Sequence, residues 1–272
     1  MSAAPPTPES APPAATGQLP ETEQALTRAV QAITDVGPET PVVLLTGASS
    51  GIGRAAAKDL SQDRLVIAVG RSQQRLAAVE AEAGPGGVVA VPFELSRTED
   101  IPAAFSRLPR VNALVNAAGI APRTTLEDAD PGLWRQIFDT NVIAPAELTR
   151  AVLPQLRALA GSETPTTVVF LGSGASRASY AENIAYAASK HALQAVADGF
   201  RKQVEQEGIR VTTIAPGPTD TPMVRWDDPY PRRDPERFIR PETVARSIRH
   251  AIDAPADTQL TELWVRPRVE VK

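Results

Sequence analysis

The sequence contains no cysteine and only two histidines, His191 and His250. Without cysteine there can be no disulfide, no thiolate nucleophile and no cysteine-based zinc site. Two histidines also argue against a histidine-rich metal centre, so we predict no metal site. Aromatic residues make up only 4% of the chain, and the core must therefore be built mainly from aliphatic side chains.

Long apolar runs and clusters of one charge are missing as well. No apolar stretch approaches 18 residues, which predicts no membrane-spanning helix, and the first residues lack the basic and apolar regions of a signal peptide. The net charge is −4 and the arginines are scattered, so no basic surface is expected to recruit nucleic acid or an anionic membrane. These features predict a soluble cytoplasmic protein.

The N-terminal part of the chain differs in composition from the rest. Residues 1–20 hold six prolines among small and polar residues, which is the composition of a disordered tail. Residues 21–40 place Leu26, Val30 and Ile33 on one face of a helix,. We predict an N-terminal extension with a short helix, which either docks on the following domain or merely extends the tail.

Residues 41–272 alternate short apolar runs with segments of helical length. Apolar, β-branched runs are typical of strands buried on both faces, and their alternation with helices indicates a parallel sheet. The sequence therefore predicts an α/β protein with a single-domain, doubly wound Rossmann fold and a seven-stranded parallel sheet. The predicted strands carry VVLLT, LVIAVG, VVAVP, VNALVN, TTVVFLG, IRVTTIA and QLTELWVRP.

The first predicted strand leads directly into the glycine-rich stretch TGASSGIGRA, residues 46–55. Its glycines permit a tight turn and the close approach of a pyrophosphate, while the following helix offers its N-terminal N–H groups to that anion. Because the stretch follows a strand and opens a helix in a βαβ unit, it predicts a dinucleotide site. The residues expected to line this site are Gly47, Ser49, Ser50, Gly51, Ile52 and Gly53.

The end of the second predicted strand, AVGR, bears on the form of the dinucleotide. NAD-binding folds carry an acidic residue here for the ribose hydroxyls, whereas this chain has Gly70 followed by Arg71. An arginine can hold a 2′-phosphate bidentately, so NADP(H) is favoured over NAD(H). The alternative for Arg71 is a solvated surface arginine.

Two tyrosines and a lysine share the stretch SYAENIAYAASK, residues 179–190. Residues four apart share a helix face, so Tyr186 and Lys190 should be neighbours, whereas Tyr180 should precede the helix. An ammonium about 4 Å away supplies on the order of 4 kcal/mol at an effective dielectric of 20. That energy would lower a tyrosine pKa from about 10 by roughly three units. The pair therefore predicts a general acid/base.

Together these motifs resemble the short-chain dehydrogenase/reductase family, in its compact single-domain branch, over residues 42 to about 266. The resemblance also includes NAAG at residues 116–119, DTNVIAP with Asn141, LGSGAS with Ser173, and APGPTDTPM from residue 215. It implies an NADP(H)-dependent oxidoreductase that transfers hydride between nicotinamide and a small carbonyl or alcohol substrate, acting on CH–OH groups as a ketoreductase does.

The resemblance also implies the role of each site residue. Tyr186 is the general acid/base, Ser173 hydrogen-bonds the substrate oxygen, Lys190 lowers the pKa of Tyr186 and holds the nicotinamide ribose, and Asn141 binds a relay water. The structural alternatives are a helix cap or kink at Asn141 and a turn residue at Ser173. Cofactor contacts are expected from Tyr186 and Lys190 and also from Glu94, Leu95, Asn116, Ala117, Gly119, Pro216, Gly217, Thr219 and Thr221.

The chain departs from the family pattern in places that bear on the substrate. Glu94 stands where relatives usually carry aspartate, and Gly174 where many carry a second serine, which would widen the pocket or loosen its loop. Substrate identity is expected to depend mainly on residues 223–240, where Trp226 and Tyr230 offer apolar surfaces.

Two other functions fit the same sequence. The proline-rich extension suits an NADP(H)-binding sensor or assembly protein, and the fold could also support a redox-neutral epimerase or dehydratase.

The resemblance also implies a homodimer or homotetramer, formed by helices predicted around residues 130–157 and 186–207. His191 should face away from the site, because adjacent helix positions point about 100° apart. The apolar residues of these helices could instead face the sheet; they are Leu133, Ile137, Val142, Leu148, Leu193, Val196, Phe200 and Val204.

Overall fold

The structure is a computed structural model that describes residues 20–161, 165–225 and 237–269. Its strands form one parallel sheet, which confirms the predicted doubly wound α/β fold with a seven-stranded parallel sheet. The strands are β1 (Val42–Thr46), β2 (Leu65–Gly70), β3 (Val88–Pro92), β4 (Ala113–Asn116), β5 (Thr166–Leu171), β6 (Ile209–Pro216) and β7 (Glu262–Val265). Their order in the sheet is β3-β2-β1-β4-β5-β6-β7.

Helices cover both faces of the sheet. The helices are α1 (Pro20–Asp35), α2 (Gly51–Leu60), α3 (Gln73–Ala81), α4 (Ile101–Phe105), α5 (Pro131–Phe138), α6 (Ala144–Leu159), α7 (Ile184–Gln203), α8 (Pro222–Arg225) and α9 (Pro241–Ile252). One face of the sheet packs against α1, α4, α6 and α7, and the other against α2, α3 and α9. A π-helical turn, Asp139–Ile143, joins α5 to α6.

The central strands are mostly apolar because both of their faces are covered. β1 is buried along its whole length, and its successive side chains point to opposite faces. Leu44 belongs to the core on the α1 side, while Val43 and Leu45 belong to the core on the α2 side. The sequence order reverses between β1 and its two neighbours, β2 and β4, and this crevice is where doubly wound sheets bind ligands.

The helix of the N-terminal extension docks on the domain. Leu26 and Ile33 of α1 are buried in the same core as the sheet. The Thr22 hydroxyl donates a hydrogen bond of 2.8 Å to the Pro92 carbonyl of β3, and Arg28 donates to the Ala90 carbonyl at 3.3 Å. Helix α4 on the same face has only five residues, and α1 adds buried apolar side chains to the core there.

The two helices expected to form an oligomer interface bury much of their apolar surface within the chain. The first is not continuous, because the π-helical turn interrupts it. Leu133, Val196 and Phe200 are half-buried, while five other apolar residues are fully buried: Ile137, Val142, Leu148, Leu193 and Val204. These five cannot contact a second subunit, so an interface would need other residues, and the homo-oligomer stays a prediction.

Across the described ranges no helix has the length and apolar character needed to cross a membrane. Nor do residues 20–161, 165–225 and 237–269 contain a group of three or more histidine and carboxylate side chains suited to a metal ion.

We expect Leu26→Ala to lower the free energy of unfolding by about 2–5 kcal/mol, because the change leaves a cavity under a fully buried side chain,. Urea denaturation followed by circular dichroism measures this effect. The matched control is Gln24→Ala, an exposed position of α1, which should change stability by no more than about 0.5 kcal/mol. Equal effects of the two changes would show that α1 contributes nothing to the core.

Candidate active site

The motifs found in the sequence gather at the carboxyl ends of β1, β4, β5 and β6. Parallel strands bring the loops that follow them to one edge of the sheet. The loop after β1 carries the glycine-rich turn, and the loop after β5 carries Ser173. Helix α7 approaches this edge with Tyr186 and Lys190, which lie in its first two turns.

The glycine-rich turn forms a cradle that has no room for additional side chains. Gly47 has φ +71°, and a Cβ on it would lie 2.8 Å from the Ala118 nitrogen. A Cβ on Gly53 would lie 2.2 Å from the Gly47 carbonyl oxygen. Ser50 caps α2 without a hydrogen bond from its side chain, so the first N–H groups of α2 are not capped by that hydroxyl. A backbone cradle at a helix N-terminus fits the pyrophosphate of a dinucleotide.

Two threonines tie neighbouring loops to this cradle. The buried Thr46 hydroxyl accepts hydrogen bonds from the backbone N–H groups of Ala117 at 3.0 Å and Ala118 at 3.1 Å. Thr221, from the loop after β6, brings its methyl group within 3.0 Å of where a Cβ on Gly51 would lie. Thr46 was not among the predicted site residues, although a polar residue at the end of an apolar strand is a usable signal.

The residues expected near a 2′-phosphate lie beside the cradle. A Cβ on Gly70 would be 3.2 Å from the Ser49 hydroxyl oxygen. Arg71 is exposed, and its Nη1 lies 3.9 Å from Oε2 of Glu94, so this arginine has a carboxylate neighbour. Glu94 in turn accepts a hydrogen bond from the Ser96 hydroxyl at 3.0 Å. The pair is open to solvent on both sides.

Two residues predicted to contact the cofactor point their side chains into the protein. The Asn116 side chain is buried and donates a hydrogen bond of 3.3 Å to the Thr149 hydroxyl of α6. The Leu95 side chain belongs to the core on the α1 side. Both residues lie at the strand ends that lead into the crevice. Because their side chains point into the protein, only their backbone groups can face the crevice.

Ser173, Tyr186 and Lys190 meet at the end of β5. The Ser173 hydroxyl lies close enough to the Tyr186 hydroxyl to act on its pKa. The Lys190 ammonium lies 5.8 Å from the centre of the Tyr186 ring and donates a hydrogen bond of 2.8 Å to the Leu171 carbonyl. The Ser173 hydroxyl also accepts from the Ala175 N–H at 3.1 Å, so Ser173 is a turn residue as well.

Burial dominates the electrostatics of this trio. It lowers the pKa of Lys190 from 10.5 to about 8. Burial also raises the pKa of Tyr186, and the hydrogen bond from Ser173 lowers it in part. Lys190 was expected to lower the pKa of Tyr186. Burial instead raises that pKa, and the lysine nitrogen donates its hydrogen bond to the Leu171 carbonyl.

Asn141 is fully buried in the π-helical turn and clamps the loop after β4. Its Oδ1 accepts from the Ile120 N–H and its Nδ2 donates to the Ile120 carbonyl, both at 2.9 Å. A third hydrogen bond, 3.0 Å long, joins Nδ2 to the Ser189 hydroxyl. Because Pro145 has no N–H, the backbone carbonyl of Asn141 lacks its regular helical donor. The helix is therefore irregular at Asn141, and the side-chain amide is occupied by protein groups.

Three further predicted residues, Gly119, Gly217 and Thr219, lie in the loops after β4 and β6. A Cβ on Gly119 would lie 3.2 Å from Asn141 Oδ1 and 3.7 Å from the Lys190 nitrogen, so this position is closely packed. The Gly217 N–H donates to the Val265 carbonyl at 2.8 Å, which fixes the turn after Pro216. Thr219 is buried and bridges to Ile239.

Other residues of interest lie at the mouth of the site or beyond it. Tyr180 is 58% exposed and precedes α7, as expected. The exposed ring of His191 contacts its own helix at the Ala187 carbonyl, away from the catalytic trio. Trp226 and Tyr230, the predicted apolar surfaces for substrate, lie outside the described residues.

Comparison with known proteins identifies the family. The family model described as short chain dehydrogenase matches residues 41–229. An uncharacterized oxidoreductase of Staphylococcus haemolyticus is 30% identical over 231 residues, which are 83% of this chain and 96% of that protein. The chain belongs to the short-chain dehydrogenase/reductase family and is an oxidoreductase of that family.

Solved structures of similar proteins carry nicotinamide cofactors. A serine dehydrogenase complexed with NADP⁺ has a TM-score of 0.76 and 27% identity, covering 85% of this chain and 96% of its own. The 3-ketoacyl-(acyl-carrier-protein) reductase of Brucella melitensis, complexed with NADH, has a TM-score of 0.74 and 25% identity, with coverages of 84% and 98%.

The buried lysine predicts a pH-dependent stability. Between its folded pKa of about 8 and the ordinary lysine pKa of 10.5, the unfolded chain binds more protons, so the free energy of unfolding should rise with pH. From pH 8 to 10, Lys190 should add a slope approaching about 1.4 kcal/mol per pH unit to the free energy of unfolding. Urea denaturation at several pH values would measure it.

Lys190→Met should lose this slope, whereas Lys58→Met, at an exposed position of α2, should keep it. A wild-type slope that Lys190→Met leaves unchanged would contradict the assignment. The comparison stops at pH 10, because the raised pKa of Tyr186 makes stability fall above that pH.

Proposed function

We propose that this protein is an NADP(H)-dependent oxidoreductase that transfers hydride between nicotinamide and a small carbonyl or alcohol substrate, with CH–OH as the group oxidised. The observation that carries the proposal is the meeting of Ser173, Tyr186 and Lys190 at the crevice that also holds the glycine cradle. When bound, the nicotinamide supplies or accepts the hydride.

Tyr186 is the proton donor in reduction. Burial raises its pKa, so the hydroxyl keeps its proton at neutral pH and can give it to the carbonyl oxygen. Ser173, which acts on the same hydroxyl by lowering its pKa, orients the substrate oxygen and stabilises the phenolate left behind. In the oxidative direction Tyr186 must first lose its proton, so Ser173 and Lys190 contribute more there.

Lys190 restores the proton that Tyr186 gives up. A pKa of about 8 is close to neutral pH, where proton transfer groups work best. The Asn141 backbone carbonyl, which Pro145 leaves without its regular helical donor, is suited to hold a water that links Lys190 to solvent. The Asn141 side chain positions this turn by its paired hydrogen bonds to Ile120.

Arg71 gives the site its preference for NADP(H). Its ion pair with Glu94 is long, at 3.9 Å, and solvent-exposed on both sides, and such pairs contribute about 0–1 kcal/mol. A 2′-phosphate carries more charge and can accept two hydrogen bonds from the guanidinium. It can therefore displace Glu94 at little cost.

The first test measures oxidation of NADPH with a panel of ketones, aldehydes, quinones and keto acids. Tyr186→Phe should lower kcat about 10²–10⁴-fold, because it removes the proton donor, while NADPH still binds. The matched control is Tyr180→Phe, an exposed tyrosine before α7, which should retain wild-type activity. Full activity in Tyr186→Phe would overturn the mechanism. Cofactor binding without any carbonyl reduction would favour a redox-neutral enzyme or a sensor.

The second test concerns the cofactor. Arg71→Met should weaken NADPH binding by about 10–100-fold, the value of a charge-assisted hydrogen bond, and leave NADH binding unchanged. Glu94→Gln should strengthen NADPH binding, since it removes the competing carboxylate. Isothermal titration calorimetry measures both. Arg246→Met, on the exposed side of α9, controls for the loss of one positive charge, and equal losses for NADH and NADPH would contradict the preference.

A further inference from the structure

Arg266 lies at the active-site edge of the sheet, just after β7, the last strand in the sheet order. It directly follows β7, whose register pairs Val265 with Pro216 of β6. Arg266 therefore lies next to Gly217, at the end of the sheet where Ser173 is found. Neither the glycine-rich turn nor the tyrosine motif includes this arginine.

The guanidinium of Arg266 occupies space that a side chain at Gly174 would need. Its Nη1 is 2.6 Å and its Cζ 3.7 Å from where a Cβ on Gly174 would lie. The same Nη1 is 3.5 Å from the corresponding position on Gly217. Gly174 directly follows Ser173 in the chain, so the cation lies beside the loop that carries Ser173. Gly174 thus neither simply widens the pocket nor simply loosens the loop, since Arg266 fills the space.

Trp264 holds the guanidinium in place. The Arg266 Cζ lies 5.6 Å from the centre of the Trp264 ring, which is itself 44% exposed. Contact with an aromatic face uses the π-surface of a guanidinium, whose N–H groups lie at its edge. The neighbouring arginine, Arg177, is paired with Glu262 at 3.3 Å, so that carboxylate already has a cationic partner.

We propose that Arg266 forms an anion-binding subsite beside Ser173, and that the active site takes carbonyl compounds that also carry a carboxylate. This inference rests on the proposed function, since it places the reacting carbonyl at Ser173 and Tyr186. A carboxylate accepts two parallel hydrogen bonds from a guanidinium edge, which would fix the substrate's orientation. Arg266 also has contacts of its own within the protein, so an anionic substrate competes for it, and a preference of about tenfold is expected.

The test compares acids with their neutral esters, which share the same carbonyl. The pairs are benzoylformate with methyl benzoylformate, and acetoacetate with methyl acetoacetate. In wild type, kcat/KM should favour the acid over the ester by about tenfold in at least one pair. Arg266→Met should abolish that preference through KM for the acid, with little change in kcat for the ester, and Arg266→Lys should restore part of it.

Gly174→Ala provides a second route to the same result. Its methyl group would lie 2.6 Å from Nη1 and must displace the guanidinium, so the preference for the acid should fall although Arg266 is retained. The charge control, Arg246→Met, should keep the wild-type preference. An acid-to-ester ratio that is near unity in wild type, or unchanged in Arg266→Met, overturns the subsite. Equal losses of kcat for acid and ester would also overturn it, because they would indicate that Arg266 only positions the Ser173 loop.

A binding measurement separates this proposal from the reductase proposal. Calorimetry of benzoylformate with Tyr186→Phe in the presence of NADP⁺ reports binding without turnover. Binding that disappears in the Tyr186→Phe, Arg266→Met double variant supports the subsite, even if wild type reduces no carbonyl and the reductase proposal fails. Reduction of neutral esters without carboxylate binding supports the reductase proposal and overturns the subsite.

Discussion

Backbone contact at the carboxyl end of β1 is the constraint on which the rest of the site depends. The Gly47 turn lies so close to Ala118, and Gly53 so close to the Gly47 carbonyl, that neither glycine can carry a Cβ. This approach leaves the N-terminus of α2 open for a pyrophosphate and, through Thr46, fixes the loop after β4. That loop is in turn clamped by Asn141, whose helix turn lies beside Lys190. The close contact of the Gly47 turn with the loop after β4 thus connects the glycine cradle to the catalytic residues.

The catalytic trio shows how two large electrostatic effects compete. An ammonium near a phenol favours the phenolate, but the same surroundings that bring Lys190 and Tyr186 together also exclude water, which disfavours both charges. In this protein burial lowers the pKa of Lys190 and raises that of Tyr186. Both shifts favour the uncharged forms. This arrangement suits a tyrosine that starts as an acid, and a lysine that can give up its proton near neutral pH.

The fold could be predicted from the sequence because the signals that indicate it are local. Most strands are short apolar runs, and the glycine-rich turn and the Tyr186–Lys190 spacing depend on neighbours within a few residues. The structure accordingly brings Ser173, Tyr186 and Lys190 together, although Ser173 comes from another element. The direction in which a side chain points could not be predicted in the same way. Asn116 and Leu95 lie at the correct strand ends, yet their side chains turn towards α6 and the core, and only packing decides that choice.

Features that depend on distant parts of the chain needed the structure. In the sequence, strands β1, β2 and β3 lie between helix α1 and the short helix α4. The two helices nevertheless cover the same face of the sheet, so the N-terminal extension belongs to the core. Gly174 and Arg266 form a second such pair. In the sequence the glycine suggests only lost bulk, and the arginine is one of many. In three dimensions each explains the other, because the missing side chain is what admits the guanidinium. A departure from a family pattern near a catalytic residue therefore has to be examined together with whatever fills its space.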